Sequence, residues 1–305
     1  MWALLKQTFN EFIEDDCMAM AAAVAYYTMF SLPPLLLIVV AVAGAFFGTE
    51  TVSEKIQQEA GAMIGHGAAT EIQTMLRGAR EQTGSAGQAA IGIIVLLFGA
   101  TTAFAQLQSA LNRTWKVQVD PRMSTLQTIR QFLSKRLLSF GLILVIGFLL
   151  LVSLVISAAL AWVGKWLEGA MGGGLWSPIL LIANFVVSLG IISALFAAMF
   201  KYLPDAQIAL RDVAGGALLT AVLFTVGKFL LGFYFGASDI AGAYGAAGST
   251  ILILLWIYYS SMILLFGAEF THAYSSRHGH QAPPEAGAVR ETAANSRQHA
   301  MESRR

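Results

Sequence analysis

Apolar and polar residues occur in long separate blocks along the chain, and six of the apolar blocks are nearly free of charge. These blocks cover approximately residues 19–47, 89–110, 137–163, 176–200, 213–236 and 247–270. A helix of about 20 apolar residues crosses the hydrocarbon core of a bilayer, which is about 30 Å thick. The pattern therefore predicts an all-α, polytopic integral membrane protein in which residues 1–274 form a domain of six transmembrane helices.

Two polar segments stand outside these blocks. Residues 49–87 carry two stripes of apolar residues at helical spacing, separated by Gly65-His66-Gly67, which predicts a helical hairpin between spans 1 and 2. Residues 275–305 are rich in Ser, His, Pro, Glu and Arg and show no apolar periodicity. Such a composition buries too little apolar surface to fold, so we expect a disordered tail.

The distribution of Lys and Arg predicts how the chain is oriented. The N-terminus, the connections 111–136 and 201–212, and the tail hold most of the basic residues, whereas the other connections hold few. Cytoplasmic loops of membrane proteins carry an excess of Lys and Arg. We therefore expect both termini in the cytoplasm and the hairpin of residues 49–87 outside, capping the outer face. This arrangement closes only with an even number of spans, in agreement with six.

The first span is too long for the bilayer. As one straight helix, residues 19–47 would measure about 43 Å, against a core of about 30 Å. Pro33 and Pro34 donate no backbone hydrogen bond and leave the carbonyls of Met29 and Phe30 unpaired. The expectation is a broken helix at this pair, facing protein or water; a kinked span without a cavity is the alternative. The residues expected to line the break are Tyr26, Tyr27, Thr28 and Ser31.

Lys228 is the single charged residue within the fifth span. Ionisable groups inside membrane spans are costly and are candidates for function. One interpretation places its ammonium in a cavity, where it holds an anionic headgroup or substrate. The other lets the side chain extend to the outer interface beside Tyr234.

Glu269 lies near the predicted cytoplasmic end of the sixth span, and Asn112 and Arg113 lie at the same depth at the end of the second. A structural ion pair that joins the two spans is the favoured interpretation. A carboxylate that couples proton movement to transport is the alternative.

Composition and motifs argue against an enzyme and against nucleic acid as a partner. The formal net charge is +1, and the single cysteine, Cys17, cannot form an internal disulfide. The sequence contains no HExxH, CxxC, G-x-S-x-G or glycine-rich phosphate loop. The histidines His272, His278 and His280 lie in or beside the tail and predict only weak, adventitious metal binding. We therefore expect no catalytic residues, no cofactor and no specific metal site.

Three segments resemble a known family. They are AAAVAYYTMFSLPPLLL in the first span, Phe98–Val117, and Gly242–Tyr274. Their order and content are similar to the YihY/BrkB family of bacterial inner-membrane proteins. The resemblance implies a six-span protein of the inner membrane. Members have carried a ribonuclease label and a serum-resistance virulence label, and some resemble candidates for the handling of envelope lipids.

Two hypotheses for function follow. In the first, the protein transports or handles a lipid or amphipathic anion through a cavity at the broken first helix, with Lys228, Tyr26 and Tyr27 as contacts. In the second, it is a scaffold that recruits envelope partners through residues 49–87 and transports nothing. Membrane lipids are the expected partners in both; an envelope protein or another copy of the chain stays open. A continuous cavity touching Tyr27, Ser31 and Lys228 would favour the first.

Overall fold

The computed structural model describes residues 2–64, 66–81, 102–120, 176–237, 244, 247–279, 282–285 and 287–290. Its helices are α1 (Trp2–Glu14), α2 (Cys17–Phe47), α3 (Thr49–Ile64), α4 (His66–Glu81), α5 (residues 102–114), α6 (Trp176–Tyr202), α7 (Leu210–Ala237) and α8 (Gly248–Arg277). Two short strands, β1 (Val117–Val119) and β2 (Ala288–Arg290), pair antiparallel.

Helix α8 is the centre of the described structure, because it packs against α1, α2, α4 and α7. We call the end where α2 begins and α8 ends the basal end, and the opposite end the distal end. Apolar side chains from α1, α2, α5, α6, α7 and α8 form one core toward the basal end. A second core joins α2, α3, α4 and α8 toward the distal end. Helices α1, α2, α4 and α7 are therefore positioned by their contact with α8, whereas α6 packs on α7.

Helices α7 and α8 approach each other through a reciprocal exchange of glycine and threonine. A Cβ atom on Gly216 would lie 1.8 Å from the Oγ1 of Thr271, and one on Gly267 would lie 1.8 Å from the Oγ1 of Thr220. Each threonine donates its hydroxyl to the glycine carbonyl four residues earlier in its own helix. The two helices thus meet at backbone distance while their polar hydroxyls stay satisfied.

Helix α2 corrects the expected break at Pro33-Pro34, because it continues without interruption from Cys17 to Phe47. Proline fixes φ near the helical value, so the pair removes two hydrogen bonds without forcing the chain out of the helix. The buried Ser31 hydroxyl donates to the carbonyl of Tyr27 at 2.6 Å, so it is satisfied within its own helix. The expectation of a broken helix at the prolines was therefore wrong.

Helices α3 and α4 pack on each other and against α2 and α8. Ala60, Ala69, Ile72 and Leu76 are buried in the distal core. Two consecutive helices therefore occupy most of the segment in which the sequence predicts a hairpin, and they form part of the helical bundle. Their location outside the membrane stays a prediction from the charge pattern.

The tail is not disordered throughout, which corrects the prediction for residues 275–305. Helix α8 continues to Arg277, and residues 288–290 form β2 opposite β1. Backbone hydrogen bonds also join the segment to the α6–α7 connection: Gln207 donates to Pro283 at 2.8 Å and Glu285 to Asp205 at 2.9 Å. Backbone hydrogen bonds to β1 and to the α6–α7 connection order this segment, although its sequence has no apolar periodicity. The two-stranded ribbon is also a small departure from an all-α fold.

Three helices of the described residues are long and apolar enough to cross a membrane: Ile182–Tyr202, Leu210–Phe235 and Gly248–Arg277. A shorter apolar helix covers Cys17–Pro33. The predicted spans at 89–110 and 137–163 fall wholly or largely outside the described residues. The count of six spans therefore stays a prediction.

We expect Gly267→Ala to lower the stability of the protein by about 1–3 kcal/mol, the usual cost of overpacking. The added Cβ would also lie 2.9 Å from the Cβ of Thr220, which rotation of the threonine cannot relieve. Thermal unfolding of the detergent-purified protein measures the effect. Gly232→Ala is the control, since nothing lies within 4 Å of the added Cβ there. Equal midpoints for both variants would contradict the close contact.

Candidate functional site

The predicted partners of Glu269 are engaged elsewhere, so the expected ion pair is wrong. Asn112 Nδ2 donates to Asp205 Oδ2 at 2.8 Å, and the backbone N–H of Asp205 donates to Asn112 Oδ1 at 2.8 Å. Arg113 forms an exposed pair with Asp16, with 3.7 Å between Nη2 and Oδ2. An equal predicted depth in the membrane does not bring two side chains into contact, because successive residues of a helix point about 100° apart.

Glu269 instead belongs to a group of polar side chains where α1, α2, α5 and α8 meet. We call this group the basal polar cluster. Its members are Glu11, Asp15, Cys17, Thr114, Trp115, Lys116, Glu269 and His272. Asp15 and Lys116 form an ion pair, and the Trp115 ring meets the His272 ring edge-on at 5.3 Å.

The side chain of Glu269 is fully buried. Its Oε1 accepts a weak hydrogen bond from the Cys17 thiol at 3.5 Å. The Thr114 hydroxyl is the other donor beside the carboxylate, but Oε2 has no close hydrogen-bond partner among the described residues. Ala268 and Ala273, near Glu269 on α8, are small and fully buried. A buried carboxylate with an open oxygen is costly, so it demands an explanation.

Unsatisfied polar atoms concentrate in this cluster. In the part of the chain that the structure describes, five buried side-chain polar atoms lack a hydrogen-bond partner. Four belong to the cluster: Asp15 Oδ2, Thr114 Oγ1, Trp115 Nε1 and Glu269 Oε2. Buried polar groups are normally paired, so a concentration of open donors and acceptors suggests that something else completes them.

The backbone is strained at the same place. Among the described residues other than glycine, only Asp16 and Lys116 have positive φ, at 54° and 52°. The left-handed region costs roughly 1–2 kcal/mol for such residues. Both flank the cluster and turn the chain sharply into it, and such strain tends to gather at functional sites.

Glu11 and His272 bring α1 and α8 together on the outer side of the cluster. His272 Nδ1 lies 3.4 Å from Glu11 Oε2, and Gln7 donates to Glu11 Oε1 at 2.8 Å. Burial alone would raise the pKa of Glu11, but hydrogen bonds from His272 and Gln7 and the nearby positive charges lower it more. The net pKa is below the ordinary value, so Glu11 is an anion at neutral pH.

The residues predicted to line a cavity are not brought into one site. Tyr26 and Tyr27 are exposed, Thr28 is half-buried, and Tyr26 packs against Phe30 with ring centroids 4.9 Å apart. Lys228 lies on α7, and α8 packs between α2 and α7. Pro34 lies on α2, but its side chain is outside the described part of the structure.

Lys228 nevertheless lies on the inward stripe of α7. Phe224 and Phe235, which share this stripe at spacings of four and seven, both pack against the interior. Val222, Val226, Phe229 and Phe233 form the exposed stripe on the opposite side. Lys228 is half-buried and has no hydrogen bond or ion pair with any described residue. By its position on α7, Lys228 therefore belongs to the stripe that packs inward.

Sequence reasoning singled out Glu269 but not most of the cluster around it. The signal available was the Glu269-x-x-His272 spacing, which places both side chains on one helix face. Glu11 and Asp15 were not singled out, because nothing in the local sequence indicates that α1 packs on α8. The histidine was grouped with the tail, whereas the structure places it within α8, one to two turns before the helix ends, and partly buried.

Long apolar helices with ionisable groups buried between them define a helical membrane protein. The family model described as Virulence factor BrkB matches residues 8–292. The chain therefore belongs to the BrkB virulence factor family, in agreement with the resemblance found in its sequence.

Similar proteins carry membrane-protein names. The UPF0761 membrane protein of Teredinibacter turnerae is 27% identical over 280 residues, 89% of this chain and 61% of that protein. The UPF0761 membrane protein of Alteromonas mediterranea is 25% identical over 295 residues, 92% of each chain. YfkH of Bacillus subtilis, named as ribonuclease-like, is 23% identical over 273 residues, 88% of this chain and 93% of that protein. The chain thus spans 61% of the length of some relatives. No solved structure matches.

We expect Asn112→Ala to destabilise the protein by about 2 kcal/mol or more. The substitution removes the donor to the buried Asp205 carboxylate and the acceptor of the Asp205 backbone N–H. Arg113→Ala is the matched control, since its ion pair with Asp16 is exposed and contributes at most about 1 kcal/mol. Chemical or thermal unfolding in detergent compares the two. A larger loss for the arginine variant would contradict the assignment of partners.

Proposed function

We propose that the protein transports or otherwise handles a lipid or another amphipathic anion in the bacterial inner membrane. The observation that carries the proposal is Lys228, a half-buried cation on the inward stripe of an apolar helix, without a paired acid among the described residues. Ionisable side chains at such positions mark substrate pathways in membrane proteins.

The surroundings of Lys228 suit a ligand with both charge and apolar surface. The preceding residue, Gly227, leaves room for the ring of Tyr259 on α8. A Cβ atom added to Gly227 would lie 2.1 Å from the Tyr259 hydroxyl. Phe224 makes edge-on contacts with Phe196 and Trp256, at centroid distances of 5.8 and 5.9 Å. An ammonium above such an aromatic layer can hold an anionic headgroup while acyl chains remain in contact with apolar side chains.

The position of Lys228 along α7 also supports this function. Lys228 is 18 residues beyond the start of α7, about 27 Å from the basal end by helical rise. With both termini in the cytoplasm, as the charge pattern predicts, this depth corresponds to the outer leaflet. Helix α3 packs on α7, so the α3–α4 pair contacts the same helix. Transport by this route does not require a break in α2. In this proposal, the exposed Tyr26 and Tyr27 are aromatic side chains that face lipid.

We expect Lys228→Ala to lower the transbilayer movement of an anionic lipid by about tenfold, equivalent to about 1.4 kcal/mol on the barrier. The assay uses the full-length protein in vesicles with fluorescent phosphatidylglycerol as the probe. Fluorescent phosphatidylcholine tests whether the effect depends on negative charge, and Lys228→Arg should restore most of the rate.

Lys6→Ala is the control, because Lys6 is an exposed cation on α1. If Lys228→Ala moves phosphatidylglycerol at the wild-type rate, the role of Lys228 is wrong. If neither lipid moves faster in vesicles with the wild-type protein than in empty vesicles, the transport proposal is wrong. That result would favour the scaffold hypothesis for residues 49–87.

A further inference from the structure

We propose that Glu11, Glu269 and His272 form a binding site for one divalent transition-metal ion, which joins α1 to α8. This inference goes beyond the proposed handling of lipid and does not depend on it, because Lys228 is not among its residues. It also revises the expectation from sequence that no specific metal site exists.

The three side chains offer one ligand atom each at a suitable spacing. These atoms all lie within 4.8 Å of one another. The distance from His272 Nδ1 to Glu11 Oε2 is 3.4 Å, which is longer than a good N–H···O hydrogen bond. Ligands around a tetrahedral ion with bonds of about 2.1 Å are separated by about 3.4 Å. The separation is therefore long for the hydrogen bond between these two groups and matches that of two ligands on one ion.

Each carboxylate has one oxygen held by the protein and one oxygen left for an ion. Gln7 donates to Glu11 Oε1, and Oε2 is the oxygen that faces His272. The Cys17 thiol donates to Glu269 Oε1, and the fully buried Oε2 has no close hydrogen-bond partner among the described residues, with the Thr114 hydroxyl as the donor beside it. Hydrogen bonds of this kind orient metal-binding carboxylates in known sites.

The orphan oxygen of Glu269 is the independent sign that a ligand belongs here. A carboxylate buried in an apolar helix must be neutralised or paired. The nearest described cation, Lys116, is already paired with Asp15, and Arg113 is paired with Asp16. When both glutamates bind an ion as carboxylates, they carry two negative charges, which a divalent ion balances.

The ligand types favour a transition metal over magnesium or calcium. Imidazole nitrogen suits zinc, iron, copper and nickel, whereas magnesium and calcium prefer oxygen alone. Asp15 Oδ2, Thr114 Oγ1 and Trp115 Nε1 of the same basal polar cluster are also unsatisfied.

Binding of Zn²⁺ to the full-length protein in detergent tests the proposal, after chelator treatment and with Mg²⁺ for comparison. We expect one tight equivalent of Zn²⁺ by calorimetry, and a rise in the unfolding temperature on adding it. Glu11→Gln, Glu269→Gln and His272→Gln should each weaken binding about tenfold or more. Glu14→Gln and His278→Gln are matched controls, since Glu14 is exposed at the end of α1 and His278 is exposed directly after α8.

Because Glu269 and His272 are buried or partly buried, their variants can fail to fold; Glu11→Gln, at the half-exposed edge, then decides. Co²⁺ provides a second readout, with visible absorption bands expected in the wild type and lost in Glu11→Gln. A thiolate charge-transfer band would contradict the ligand set, because it would make Cys17 a ligand. Equal Zn²⁺ affinity in the wild type and Glu11→Gln, or loss of binding in His278→Gln alone, would overturn the site.

The two proposals fail separately. Loss of Zn²⁺ binding in Glu11→Gln with an unchanged rate of phosphatidylglycerol movement supports the metal site and leaves the role of Lys228 untouched. Loss of lipid movement in Lys228→Ala with unchanged Zn²⁺ binding supports the transport proposal alone.

Discussion

The close contact between α7 and α8 is the constraint on which the rest of the described structure depends. Helices in lipid gain little from the hydrophobic effect, so they associate where small residues let their backbones approach. Gly216 and Gly267 provide that space, and Thr220 and Thr271 fill it from the opposite helix. With α8 fixed in this way, its other faces are free to receive α1, α2 and α4.

Charge is buried on the face of α8 opposite Gly267, because positions two residues apart lie about 160° apart around a helix. Glu269 is fully buried there beside Cys17 of α2, and α1 covers the neighbouring turn through Leu4, Phe270 and Ala273. The ribbon of β1 and β2 joins the segment after α5 to the segment after α8. The bundle thus holds an acidic pocket where apolar packing alone would have been more stable, while its other unusual charge, Lys228, lies toward the distal end.

Local sequence patterns predicted the helices but did not predict which neighbour each polar side chain faces. The proline pair was expected to break α2, but the fixed φ of proline is compatible with a helix and Ser31 is satisfied within it. Asn112 was placed at the correct depth, yet it faces Asp205 of the α6–α7 connection. The periodicity of a uniformly apolar helix indicates no inward face, since every side of it is hydrophobic.

The sequence by itself determined that this is a helical membrane protein of the BrkB family, because uncharged blocks of bilayer length have few other solutions. It also marked Lys228 and Glu269, since charge within such blocks is conspicuous. Only the tertiary structure decided which groups meet. Glu11 and His272 are 261 positions apart, and Cys17 and Glu269 are 252 apart. Their contacts depend on how each helix is rotated against α8, and that rotation is set by side-chain packing across the whole bundle.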